Sequence, residues 1–334
     1  MQFTLNISNK KLLKRILAVS LPIFVVGASI STYLIKTKGH NASLVNNNVS
    51  IVNGVKRQVY LLNNENLVLP VTVTIESKEL ITDEIKELMN LLKKENNKFN
   101  NILDKDCELK NVTLENDTLT LNFNEKFYNY DLNNEKRIVE SLVWTCLQYD
   151  EINNLKIQVE DVDLQYMPLN NTPLSSNLNK EIGINNHLSV KDTTKKSVNV
   201  FFETSLENEK YYVPVTVKVD DYENDYQEIM EGLNVNLPLY NNLKIPSLKN
   251  KIEVLKYNDL DENYNLNLEL SNKALFDEKT IDNSVFDYLV MNLIFNDENI
   301  KTVSVTVNDE IMQVSGYEDS SIQVSNIIYN EIKL

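Results

Sequence analysis

Reactive chemistry in this 334-residue chain would have to come from a few acidic pairs, two cysteines and two histidines. Asp104 with Asp106, and Asp220 with Asp221, are the neighbouring carboxylates that general acid and base catalysis would use. Neither pair recurs at a matching position of the internal repeat described below, so solvated loops are expected instead. Asp259, Asp261, Asn263 and Asn265 resemble the opening of a calcium loop, but Tyr264 holds the glycine position and Leu270 the closing-glutamate position. A polar hairpin turn is expected there. Both histidines, His40 and His187, fall in segments that read as linkers, so histidine-based nucleophilic catalysis and zinc binding lack an imidazole on a rigid scaffold. Cys107 and Cys146 share one domain on the expected outer side of a membrane, where a disulfide is chemically permitted. Cys146 falls on an apolar helical face, which favours a buried free thiol. The six glycines are at least twelve residues apart, too sparse for a phosphate-cradling loop or a dinucleotide fingerprint. No catalytic, cofactor-binding or metal-binding residue is assigned, and an enzyme is not expected.

The elements that would position any site occur twice. LPVTVTI at Leu69 to Ile75 returns as VPVTVKV at Val213 to Val219, a shift of 144 residues, and each copy alternates apolar with polar positions as a half-buried strand does. Pro70 and Pro214 cannot donate to a ladder, which places them on an edge strand or at a strand's first residue. Ile85, Leu88, Met89 and Leu92 follow at helical spacing, answered by Tyr226, Ile229, Met230 and Leu233. Leu119, Leu121 and Phe123 alternate as a strand, as do Leu266, Leu268 and Leu270. A second helical face, Ile138, Leu142, Cys146 and Leu147, is matched by Ile281, Val285, Tyr288 and Leu289. Each copy closes on a strand, Asn154 to Asp161 and Asn299 to Asp309. This order predicts an α+β fold of two similar tandem domains, each a small, mostly antiparallel sheet with two helices on one face.

The ends differ in composition. From Ile16 to Ile35 twenty residues run without a charge, long enough for a helix to cross a bilayer core of about 30 Å. Lys10, Lys11, Lys14 and Arg15 precede it, so the N-terminus is expected inside and the remainder outside. A signal peptide cleaved near Val26 and Ala28 is the competing reading; the continuation of the apolar run to Ile35 favours a retained anchor. The expected organisation is a basic cytoplasmic segment (1–15), a transmembrane anchor (16–35), a linker (36–55), a first domain (56–168), a polar linker (169–196), a second domain (197–312) and a tail (313–334). The tail carries Ile327, Ile328 and Ile332 at near-helical spacing; docking onto the second domain is expected, with partner binding as the alternative. The linker's GIN triplet, Gly183 to Asn185, is a candidate fixed turn.

Charge excludes one class of partner. The chain has 33 basic and 48 acidic groups; six of the basic and none of the acidic groups precede residue 39, leaving a net −21 for the rest. No nucleic-acid partner is expected on such a surface.

The Pro-Val-Thr-Val strand, the hairpin TLTLNF at Thr118 to Phe123, the helix ending LVWTCLQ and the closing LKIQVED together resemble the GerMN domain of sporulation and spore germination proteins. The linker stretch at Pro173 to Asn185 is similar to the joint in clostridial members. The resemblance, over residues 56 to about 312, implies an envelope protein of endospore formers with two domains akin to the ring-building modules of secretion systems. It implies roles in assembling the complex joining mother cell and forespore and in building spore peptidoglycan, and brings no enzymatic activity. Two departures stand out: there is no lipobox cysteine, and the family's closing Val-Asp-Gly is replaced by Val159-Glu160-Asp161 and Val307-Asn308-Asp309.

The leading expectation is a non-catalytic, membrane-tethered scaffold for other envelope or sporulation-complex proteins, with the Pro70 and Pro214 edges reserved for a partner. The alternative is a cell-wall glycan (peptidoglycan) binder using Tyr128, Tyr130, Tyr211 and Tyr212 as stacking faces. A hydrolase working through the acid pairs is the third reading.

Overall fold

The computed structural model describes residues 54–186 and 194–332, apart from 236, 238, 239 and 241. The expected anchor at 16–35, both histidines and the segments around them lie outside the described residues. Val52–Leu334 forms one compact unit.

The first module opens with an antiparallel hairpin, β1 (Gly54–Asn63) and β2 (Val68–Glu76). Helix α1 (Ile81–Leu91) buries Ile85, Leu88 and Met89, the face its periodicity dictates. The short strand β3 (Phe99–Asn100) pairs with the end of β1. There follow β4 (Leu109–Glu115), β5 (Thr118–Phe123), helix α2 (Glu135–Cys146), β6 (Asn154–Val159) and β7 (Val162–Asp163). The second module follows the same order except that, among the described residues, it lacks a counterpart of β3 and gains β12: β8 (Lys196–Leu206), β9 (Glu209–Val219), α3 (Asp225–Gly232), β10 (Val254–Tyr257), β11 (Asn265–Leu270), β12 (Thr280–Ile281), α4 (Asn283–Ile294), β13 (Thr302–Val307) and β14 (Glu310–Ile311). Ile281, expected in the second helical face, instead belongs to β12, just ahead of α4.

Each module is divided among separate sheets where one was expected: the hairpin stands apart from a second layer ordered β4-β5-β6-β7, and likewise β8-β9 from β10-β11-β13-β14. Most pairings are antiparallel, but β5 and β6 run parallel, as do β11 and β13. The connection explains this: a parallel neighbour needs a crossover of about a dozen residues or more, and α2 and α4 supply it. The replaced Val-Asp-Gly turns are two-residue hairpins in which Glu160 and Asp161, and Asn308 and Asp309, all take positive φ, between 51° and 64°. That is the backbone of a type I′ turn, matching the strand twist without glycine.

Two segments differ from their sequence reading. Residues 169–186 are packed rather than a free polar joint: Leu174, Leu178 and Ile184 are buried, and Leu178 bridges Leu155 of β6. The tail adds β15 (Gln313–Val314), which forms a separate two-stranded sheet with β12, and β16 (Ser321–Gln323) on β13, and after a single 3-10 turn it is extended, so its isoleucines sit on no α-helix. Ile327 is buried in the second core, as docking requires, but the chain then continues onto β2 of the first module.

Candidate functional site

The acid pairs come together with no partner that would make them reactive. Asp104 caps the backbone N–H of Asp106 at 2.8 Å, and Asp220 and Asp221 pair with Lys195 and Lys196 on the surface. Asp261 accepts from the N–H groups of Asn263 and Asn265 and from the Asn265 side chain, closing the expected polar turn with Tyr264 at φ 62°. Those donors hold its carboxyl below the usual range. Cys107 and Cys146 are free and buried; burial pushes the Cys107 thiol up to about 12 and raises Cys146 as well, so neither is a thiolate at neutral pH. The four tyrosines do not form one stacking platform. Tyr211 is buried edge-on to Phe99, Tyr212 stacks on Tyr288 at 5.7 Å, Tyr130 donates to Glu135 at 2.8 Å, and Tyr128 is exposed.

The built feature is the seam between the modules. Pro70 and Pro214 sit, as expected, on edge strands, but these edges face each other and are covered, which removes them as free surface for a partner. The outward-facing groups are Val68, Pro70 and Thr72 on β2, and Tyr212, Pro214 and Thr216 on β9. Between them lie two asparagines. Asn185 accepts from the Val68 N–H at 2.8 Å through Oδ1, and its Nδ2 donates to the carbonyls of Val68 and, at 2.8 Å, of Pro214. Asn330 does the same in reverse, accepting from the Tyr212 N–H at 2.8 Å and donating to Tyr212 O at 2.7 Å and Pro70 O at 2.8 Å. Both asparagines take positive φ, 50° and 51°. Each clasps its own module's edge and one proline carbonyl of the other, a pseudo-twofold arrangement. The adjoining threonines complete it: the Thr216 N–H donates to Ile184 O at 2.8 Å, and Thr72 exchanges bonds with the Asn330 and Ile332 backbone at 3.0 and 3.1 Å.

Gly183 is required here. Its φ is 74°, and a Cβ would come within 2.7 Å of the Thr216 hydroxyl. Around the clasp, the Trp144 ring lies on Phe295 at 4.6 Å and 2° between planes, while its indole N–H donates to Gly183 O at 3.0 Å. The Lys180 ammonium stands 5.4 Å above Trp144 and pairs with Glu298. Glu140, almost fully buried, takes Arg137 at 2.7 Å and the Asn185 N–H at 3.2 Å.

The opposite edge of each hairpin is closed by the crossover helix and the residues just after it. Gln148 accepts from the Gln58 N–H and donates to its carbonyl, and Thr145 accepts from the Tyr60 N–H at 3.0 Å. In the second module Asn296 does so for Asn199, while Asn292 accepts from the Phe201 N–H at 2.9 Å and Tyr288 donates to Phe201 O at 2.7 Å. Helix α2 also carries Glu135, whose carboxylate gathers the N–H groups of Leu169, Asn170 and Thr172 together with the Thr172 and Tyr130 hydroxyls. Burial alone would raise its pKa; these donors outweigh that and hold it below the ordinary range. Glu84 is lowered likewise against its burial, by Arg57 at 2.7 Å and Tyr149 at 2.9 Å.

Sequence reasoning flagged the GIN turn and the tail without joining them. The signal was present: IGIN ends at Asn185 and IIYN at Asn330, 145 residues on, within one residue of the repeat spacing.

Comparison with known proteins agrees with this architecture. Residues 58–165 match the Germane family model, described as sporulation and spore germination. The chain is 29% identical over 275 residues to the spore germination protein GerM of Bacillus subtilis, covering 76% of this chain and 72% of that protein. The solved tandem GerMN domains of Bacillus subtilis GerM superpose with a TM-score of 0.69 at 24% identity, over 81% of this chain and 97% of theirs. The seam-linked pair of modules thus has the tandem GerMN fold, and residues 58–165, the first module, carry the match to the Germane family model.

Proposed function

We propose that this chain is a non-catalytic, membrane-tethered envelope protein of sporulation and germination, whose joined modules dock or scaffold other envelope proteins during engulfment-complex assembly and spore peptidoglycan formation. The sporulation role is supported by the similarity to GerM. The tether is supported by the uncharged run from Ile16 to Ile35 behind a basic segment, with the modules on the extracytoplasmic side. The observation that carries the docking role is the seam: Asn185 and Asn330 join both modules into one body, so surfaces on each are held at fixed separation. A body of that kind suits the positioning of partners.

The test is in-cell crosslinking in sporulating cells, comparing the native chain with the Asn185→Ala, Asn330→Ala double variant. The native chain should recover envelope proteins, and the double variant, expressed and membrane-associated to the same level, should lose them along with normal spore formation. Normal spores after deletion of the gene would overturn the proposal.

A further inference from the structure

We infer that the first module binds N-acetylated sugars in a cleft between the β3 loop and the start of α2, a ligand site independent of the docking role. The cleft measures about 600 Å³, within the range of small-molecule sites. The side chains of Leu62, Ile102 and Ile138 lie buried beneath it, and its accessible lining is mostly polar. Its walls present four carboxamides, Asn100, Asn101, Asn129 and Asn134, with the half-buried ring of Tyr130 between them.

That composition selects the ligand class. A carboxamide both donates and accepts, which matches sugar hydroxyls and the acetamido group. Two of the polar groups are held in place. Tyr130 is fixed by its bond to Glu135 at 2.8 Å and by edge contact with Phe127. Asn101 spends its Nδ2 on Leu103 O at 3.0 Å, which leaves its Oδ1 as an acceptor. Asn134 precedes α2 but its side chain makes no cap bond to the helix. The remaining wall residues, Asp104 and Asp131, are carboxylates, and no basic side chain lines the cleft. Phosphate, sulfate and uronate ligands are therefore disfavoured, and a neutral acetamido sugar fits better. One residue along β1 from the cleft wall, the buried Asn63 Nδ2 has no hydrogen-bond acceptor among the described residues.

The experiment is calorimetric titration of the full chain in detergent with chitotetraose, the β-1,4-linked tetramer of N-acetylglucosamine, and with maltotetraose as the sugar lacking acetamido groups. Saturable chitotetraose binding is expected with Kd of about 1 mM or tighter, with maltotetraose at least about tenfold weaker. The Asn129→Ala, Asn134→Ala double variant should weaken chitotetraose about tenfold or more at unchanged Tm, while Asn258→Ala, on the second module, should leave it unchanged. Absence of saturable heat, equal affinity for maltotetraose, or unchanged affinity in the double variant would each overturn the assignment. Envelope-protein crosslinking reads the docking role separately, so either proposal can fail alone.

Discussion

Where β2 meets β9, the Asn185 carboxamide satisfies three backbone groups that no strand reaches: the N–H and carbonyl of Val68 and the carbonyl of Pro214. Asparagine suits this position twice over, since it tolerates positive φ and carries both a donor and an acceptor on a short arm. Alanine would strand buried polar groups, each costing about 1–3 kcal/mol when left unpaired. Asn185→Ala is expected to lower stability by about 3 kcal/mol, read as a drop in the urea midpoint of the Trp144 fluorescence. Asn330→Ala should cost slightly less, because its site is partly solvated. At the hairpin turn Glu207 and Asn208 both adopt positive φ, 50° and 67°. Replacing them with Asn and Gly supplies the preferred type I′ pair and should raise stability by about 0.5–1 kcal/mol in thermal denaturation.

For the elements, the informative case is a proline whose removal harms a strand. Pro70 faces the seam, where its carbonyl has a donor in Asn330 but no acceptor awaits an N–H. Pro70→Ala would place an orphan N–H there, so the expected loss is about 1–3 kcal/mol beyond the unfolded-state entropy effect. Pro168→Ala, at an exposed position, should show only that entropy effect of about 0.4–1 kcal/mol. Equal losses at the two sites would show that the seam accommodates the donor. Much of this level was legible in the sequence: the alternation Leu69, Val71, Val73, Ile75 gave β2 its buried face, and Ile85, Leu88 and Met89 gave α1 its own. Strand direction was not legible, since periodicity is the same for parallel and antiparallel neighbours, and β5 beside β6 was settled by the crossover through α2. The clasp was hidden for a different reason. Asn185 and Asn330 sit among polar or irregular residues whose composition reads as linker and tail, and only their 145-residue spacing ties them to the repeat. The cleft of the first module was equally hidden, because its lining comes from three segments, at Leu62, Asn100 to Asp104 and Asn129 to Ile138, that adjoin only in the fold.

On the scale of the whole molecule, two effects should dominate unfolding. The first is acid. Glu84 and Glu135 both have folded pKa values below their ordinary value of 4.5, so each contributes stability that is fully present above that value and is lost as pH falls through the lower folded pKa. Stability should therefore hold from neutrality to about pH 5 and decline below about pH 4.5. Asp287 has the opposite sign. Burial raises its pKa despite the Tyr317 hydroxyl, so its contribution is present below the unfolded pKa and lost as pH rises. Asp287→Asn should accordingly stabilise the chain at pH 7 and not at pH 3, in paired urea titrations. The second effect is coupling between the modules. Trp144 is the chain's single tryptophan, and it lies on Phe295 across the seam, so its fluorescence reports seam opening while far-UV circular dichroism reports loss of both modules. With two asparagine clasps, a buried ring stack and the Glu140–Arg137 pair all spanning or bracing the junction, opening the seam would expose unpaired backbone groups on both edges at once. The modules should therefore unfold together, and the two signals should coincide in one transition. In Asn185→Ala the fluorescence change should move to lower urea than the dichroism change, because the seam then becomes the weakest part of the molecule. Coincident transitions in that variant would place the coupling in the rest of the seam and refute the role given to the clasp.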